Sequence, residues 1–292
     1  MKYNFGMDFY LPPRTPTKRA TRLPLPPDTL AVRDGVGMMA QPLLRREQAV
    51  CGFQFFDATL LLVRSGTLTL DIGATEQLLD TPLTLLAVAQ HTRADVRKTP
   101  GGEERVLRST FLALPPEVIL EFYKQYESEA ALSSPLSSTQ RLDLDTQLAD
   151  TLDYCVRGML AAQVSDREQR HRLIGLLLAL AERGCVFPRP SVLQIGDRLK
   201  GLLSPAPQRR WTTAMAAQEM AMSEATLRRR LASENLRFET LLLDIRMHHA
   251  MTLLQTTAWS IPQIAEASGY QASSRFSSRF RERFGCPPSR AR

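Results

Sequence analysis

The chain has 292 residues, 43% apolar and 23% charged, with a net charge of +7; this length suggests two domains, and the composition is that of a soluble globular protein. The charge is uneven. From Pro205 to Arg292 there are 13 arginines against 7 carboxylates, a net of +6, while the preceding 204 residues carry only +1, so a basic module that would meet a polyanion follows a neutral one. Cys51, Cys155, Cys185 and Cys286 are scattered, with no CxxC and no Cys/His cluster. They read as reduced cytoplasmic thiols, not as zinc ligands or a disulfide framework. No run of about 18 or more uncharged apolar residues is present, so no membrane-spanning helix is expected. No apolar stretch of useful length follows the basic residues near the N-terminus, so no secretory signal is expected. The expected location is the cytoplasm, with no membrane partner.

In chain order, residues 1–28 are rich in proline and basic residues and read as an arm. From about Cys51 to Leu114 the pattern favours strands. Leu60-Leu61-Leu62-Val63 is a short buried run, Ser65-Gly66 a turn, and Leu68, Leu70 and Ile72 alternate with polar residues up to Gly73. Leu83–Val88 and Val106–Leu114 are further apolar runs, the second preceded by Gly101-Gly102. Several short strands suggest a small β-barrel or sandwich. After Pro115-Pro116 the period becomes helical, with a short helix around Val118–Tyr123 and longer ones at Leu142–Ala162 and Gln169–Ala181. Residues 29–184 are thus expected to form a sensor or dimerisation domain, residues 185–191 a linker, and residues 192–292 a second domain opening with a helix from Val192 to Leu203.

The second domain carries an approximate repeat. In the first copy, Ala217, Met220, Met222 and Ser223 lead into Ala225-Thr226-Leu227-Arg228-Arg229-Arg230-Leu231; in the second, Ile264-Ala265 and Gly269-Tyr270 lead into Ser274-Arg275-Phe276-Ser277-Ser278-Arg279-Phe280. Small Ala217 and Ala265 allow the close helix approach of a helix-turn-helix corner. Ser223 suits an N-cap before Glu224, Ser260 and Gln263 a capping box, and Gly269 a left-handed helix end. With Leu227, Leu231, Phe276, Phe280 and Phe284 inward, Arg228, Arg229, Ser274, Arg275, Ser278 and Arg279 point outward. Arginine in a major groove can bond guanine twice, and serine can bond bases or phosphates. Between the copies, one helix from Phe238 to Thr256 would act as a rigid spacer, setting the two units about one helical turn of DNA apart.

These residues resemble the AraC/XylS family of bacterial transcription regulators over roughly Val192 to Arg292. The pattern includes Trp211-Thr212, Ala217, Met222-Ser223, Thr226-Leu227, Arg229, Leu231, Phe238, Arg246-Met247, Ala250, Leu253-Leu254, Ser260-Ile261, Ile264-Ala265, Gly269-Tyr270, Phe276-Ser277, Phe280 and Phe284-Gly285 followed by Pro287-Pro288-Ser289. The resemblance implies two helix-turn-helix subdomains, with base-facing positions on Ala225, Arg228 and Arg229 and on Ser273, Ser274, Arg275 and Ser278. Ala272 departs from the usual capping Ser or Asp, Ser278 from a frequent Arg, and Ala291 from an aromatic. The order of elements in the first half resembles the family's β-barrel sensor domain. The expected fold is therefore α+β, a cupin-like N-terminal β-barrel with a helical pair followed by an all-α DNA-binding domain.

The implied function is promoter binding and activation through RNA polymerase. The first domain is left with three readings: it senses a small molecule in the barrel mouth, binds a regulatory protein, or serves as a homodimer face. Phe53, Phe55 and Phe56 are the candidate ligand-lining residues, with core packing as the alternative. No enzyme is expected, and no cofactor or metal. The strand region holds a single histidine, His91; His248 and His249 are adjacent on a helix and point apart; and no nucleophile elbow, phosphate loop or dinucleotide fingerprint appears. A non-specific nucleic-acid binder is the remaining alternative.

Overall fold

A computed structural model describes residues 29–73, 75–190 and 194–291 of the chain; the Pro-rich stretch 1–28 lies outside the described residues. Ten strands come first: β1 (Thr29–Arg33), β2 (Gly37–Gln41), β3 (Leu43–Leu44), β4 (Gln48–Gln54), β5 (Ala58–Ser65), β6 (Thr67–Ile72), β7 (Thr75–Leu79), β8 (Thr84–Val88), β9 (Arg93–Thr99) and β10 (Leu107–Leu114). Helices α1 (Pro116–Gln125) and α2 (Glu127–Ala130) precede β11 (Thr139–Asp143), and α3 (Thr146–Leu160) and α4 (Asp166–Ala181) follow it. The strands form two antiparallel sheets. One runs β1-β2-β10-β5-β8-β11, with β3 also on β10; the other runs β4-β9-β6-β7.

The unbroken apolar run on β5 reflects burial on both faces. Leu60 and Leu62 point to one side with Leu85, Ala87, Leu112 and Leu114, where they meet Leu148, Leu152 and Val156 of α3 and Leu173, Leu176, Leu177 and Leu180 of α4. Leu61 and Val63 point to the other side with Leu86 and Val88, against Leu68, Leu70, Leu79 and Val96 of the second sheet. The result is three layers: helices, first sheet, second sheet. On β6 only one face is buried, so its sequence alternates.

The strands begin earlier than the expected Cys51, with β1–β3 ahead of it, and the fold differs from expectation in three further places. The barrel is an open, cupin-like pair of sheets, because no ladder joins the edge strands among the described residues. Leu142, expected in a helix, lies in β11 and pairs with Leu85; α3 starts only at Thr146, where the Asp145 carboxylate accepts the Leu148 amide at 2.9 Å. Cys185, Val186 and Phe187, expected in the linker, are buried in the helical layer, so the first domain's packing runs through Phe187.

The second domain comprises α5 (Ile195–Leu203), α6 (Thr213–Glu219), α7 (Glu224–Ser233), α8 (Phe238–Thr256), α9 (Ile261–Ala267), α10 (Ser273–Phe284) and a 3₁₀ turn at Pro288–Arg290. It docks on the first domain along β4. Val50 enters the core around α10, Gln48 donates to the Ala291 carbonyl at 2.6 Å, and Arg283 of α10 donates to the Gly52 carbonyl at 2.8 Å. Lys98 donates to Gln255 of α8 at 2.9 Å, and Lys200 of α5 pairs with Asp57.

Candidate nucleic-acid interface

The two units share one helix. The first half of α8 places Phe238, Leu241, Leu242 and Ile245 in a core with Leu199, Trp211, Ala217, Leu227 and Leu231. The second half places Met247, Ala250, Met251, Leu253 and Leu254 in a separate core with Ile264, Ala265, Phe276, Phe280 and Phe284. Each of the repeat helices α7 and α10 is thus sealed along its apolar face into its own small core. At 1.5 Å per residue, the 19-residue α8 is about 28 Å long, a stiff spacer between them.

The turns match in hydrogen bonding. In the first unit the Met222 amide donates to the Ala217 carbonyl at 3.0 Å; in the second the Tyr270 amide donates to Ala265 at 2.9 Å. Both are the six-to-one bond of a Schellman ending, which needs a left-handed residue inside it. Gly269 fills that position at φ +81°, and Ala221 fills it in the first unit at φ +55°. The caps follow the sequence reading. Ser223 accepts the Thr226 amide at 3.2 Å, and Ser260 and Gln263 form a capping box. Ala272 gives α10 no side-chain cap, so α10 starts without the bond that α7 has.

The expected DNA-facing residues sit on two exposed surfaces. Ala225, Arg228 and Arg229 are exposed on α7, and Ser273, Ser274, Arg275, Ser278 and Arg279 on α10, while Leu227, Phe276 and Phe280 are buried. Arg228 pairs with Glu224 at 2.5 Å and Arg279 with Glu282 at 2.8 Å. Such exposed pairs are worth at most about 1 kcal/mol, so a phosphate or base can displace the carboxylate. Arg229 and Arg275 have no ion-pair partner among the described residues, which leaves their guanidinium forks open.

Arg246 stands in the family pattern, but sequence reasoning gave it no role. It stands on α8 between Ile245, in the first core, and Met247, in the second. Its guanidinium donates to the Pro207 carbonyl at 2.9 Å and to the Arg209 carbonyl at 3.0 Å, both just before the first unit. It also lies 6.0 Å from the Tyr270 ring centre, in the second unit's turn. A β-carbon on Gly269 would come within 2.8 Å of it, so the absent side chain serves this approach as well as the positive φ. Burial holds the Arg246 pKa below its usual value. An arginine inside an apolar run was the available signal.

The three phenylalanines lie apart from this surface. Phe55 is in the inter-sheet core, stacked on Phe111. Phe53 and Phe56 turn toward the second domain and meet the His248 ring edge-on, at 4.6 and 4.9 Å between centres. His248 also touches Phe284 of α10, its Nε2 is buried without a hydrogen-bond partner among the described residues, and burial pushes its pKa down to about 3. It is therefore a neutral ring in an aromatic junction. Among the described residues no cluster of His, Cys, Asp and Glu is arranged to hold a metal, and no helix is long and apolar enough to cross a membrane.

A family model described as a helix-turn-helix domain matches residues 216–292. The virulence regulon transcriptional activator VirF of Shigella flexneri is 30% identical over 123 residues, covering 41% of this chain and 47% of VirF. The DNA-binding dual transcriptional regulator Rns of Escherichia coli is 34% identical over 98 residues, covering 34% of this chain and 37% of Rns. The matches thus span less than half the length of these relatives. A crystal structure of ToxT from Vibrio cholerae with an unsaturated fatty acid bound covers 88% of this chain and 95% of its own, with a TM-score of 0.58 at 16% identity, a likeness of fold. With its paired helix-turn-helix units and these partial matches, the C-terminal part of the chain is similar to transcription regulators of the AraC/XylS kind.

Proposed function

We propose that this chain is a sequence-specific, promoter-binding transcription regulator that inserts α7 and α10 into successive major grooves on one face of double-stranded DNA. The observation that carries this reading is the matched pair of sealed helices on one shared spacer, each presenting an arginine without an ion-pair partner among the described residues. Arg229 and Arg275 read bases, with Ala225, Ser273, Ser274 and Ser278 beside them. Arg228 and Arg279 exchange their carboxylates for phosphates or bases. The excess positive charge of this domain draws it to DNA. By analogy with VirF the output is activation, through contact with RNA polymerase. The first domain acts as the sensor; the fold shared with fatty-acid-bound ToxT supports a small-molecule effector over control by a regulatory protein or a homodimer face alone.

Selection of bound fragments from genomic DNA with the full-length protein tests this reading. The expected result is a shared motif of two half-sites about one helical turn apart, lost in the Arg229→Ala, Arg275→Ala double variant. Retained binding without any enriched motif would leave a general DNA-binding protein.

A further inference from the structure

Cys155 and Cys185 are buried in the helical layer, where burial pushes both thiols up to about 12 and keeps them protonated. Cys51 and Cys286 are placed differently. They lie 235 positions apart in the sequence and belong to different domains, yet they reach the same corner of the molecule. Cys51 is exposed, on the irregularity that breaks the β4–β9 register between Val50 and Phe53. Such bulges re-aim side chains; here the neighbouring Gly52 has φ +58°. Cys286 is partly buried and directly follows Gly285, the left-handed residue that ends α10. A β-carbon on Gly285 would lie 3.8 Å from the Cys51 sulfur. The corner is held together by the bond from Arg283 of α10 to the Gly52 carbonyl. The two thiols also act on each other electrically: burial raises the Cys286 pKa most, Cys51 adds to the rise, and Arg290 opposes it.

We propose that Cys51 and Cys286 form an oxidisable pair, which a hydroperoxide closes into a disulfide fastening β4 of the first domain to the end of recognition helix α10. The exposed Cys51 thiolate attacks one peroxide oxygen. The O–O bond breaks, water leaves after proton transfer, and Cys51 becomes a sulfenic acid. The Cys286 sulfur then attacks the Cys51 sulfur and displaces its oxygen as a second water. Overall, two thiols and one hydrogen peroxide give one disulfide and two waters, with two electrons passing from sulfur to peroxide; a dithiol reductant reverses the change. The bond holds the second unit against the first domain. Its effect on DNA reading rests on the function proposed above, but the bond itself does not.

Full-length protein is treated with hydrogen peroxide, its remaining thiols are alkylated, and its peptides are mapped by mass without reduction. The expected product is one intramolecular cross-linked pair containing Cys51 and Cys286, lighter by two hydrogens, released by dithiothreitol and lost in Cys51→Ser and in Cys286→Ser. Because the mapping is made on the wild-type protein, a poorly folding variant does not decide it. Separate sulfinic acids at the two positions, or Cys51 cross-links between two copies in place of the internal pair, would overturn the proposal. The assay contains no DNA, so its failure and failure of the promoter reading remain distinguishable.

Discussion

Arg246 bonds the loop before the first unit and approaches the turn of the second, and replacing it with methionine tests whether it acts as a strut between them. Arg246→Met keeps the length of the side chain and removes the two bonds to the Pro207 and Arg209 carbonyls. A fully buried bond from a charged donor is worth about 1.5–3 kcal/mol. Arg246 is only about half buried, so about 1 kcal/mol each, and about 2 kcal/mol in total, is the appropriate scale. With a urea slope of about 1–3 kcal/mol/M, the unfolding midpoint should fall by about 1 M. Tryptophan fluorescence of the full chain reports this directly, because its two tryptophans, Trp211 and Trp259, both lie in the second domain. Binding should divide by probe. Each half-site buries a recognition helix whose own core is intact, so affinity for a single half-site stays within about twofold. The two-site probe depends on simultaneous engagement and loses about tenfold or more. Equal losses on both probes, or an unchanged urea midpoint, would refute the assignment of Arg246 as the strut between units.

Three further outcomes follow from the same geometry. Arg229→Ala should weaken binding to the selected site by about 1–3 kcal/mol and relax its sequence preference; an equal loss on random DNA, measured by titration, would make it a phosphate contact. Ala221→Gly should stabilise the first unit by about 0.5–1 kcal/mol in urea melts, because alanine there holds a left-handed φ that glycine adopts without strain; a destabilised variant would argue against strain in that turn. The third concerns His248, which is neutral in the fold down to about pH 3 but takes up a proton near 6.5 when unfolded. Its contribution is present above about pH 6.5 and is lost as pH falls toward 3, at up to about 1.4 kcal/mol per unit. Between pH 6.5 and 5 the wild type should therefore lose about 2 kcal/mol more than His248→Leu. Parallel pH profiles for the two proteins would place the acid sensitivity elsewhere.

The second domain was legible in the sequence because its signals are local. Ser223, Ser260, Gln263 and Gly269 mark helix ends through their own backbone bonds, and Phe276, Phe280 and Phe284 repeat at four-residue spacing on a helix exposed along its other face. Arg246 was hidden because its partners are loop carbonyls 37 and 39 positions away. The apolar residues of α8 give no single face for a related reason: its halves pack into different cores. In the first domain, β5, β6, β8 and β10 stood out through burial on one or both faces. Strands such as β9, which alternates Arg93, Asp95 and Arg97 with Ala94 and Val96, are fixed mainly by ladders formed far along the chain. Phe53 and Phe56 show the same limit: whether a phenylalanine lines a cavity or a domain junction depends on a helix that begins at residue 238.

The division of α8 between two cores gives its residue count a meaning beyond length. Each residue advances a helix by 1.5 Å and turns it by about 100°. A single insertion between Ile245 and Met247 would barely change the reach between the units, yet it would swing α10 by more than a quarter of a revolution about the α8 axis. In the proposed complex, α10 would then meet the sugar–phosphate ridge, or open solvent, in place of the groove. Under the proposed function the helix acts as a phase setter between the two units: side chains on α7 and α10 could change which bases are read, while the number of residues along α8 could not change without loss of phase.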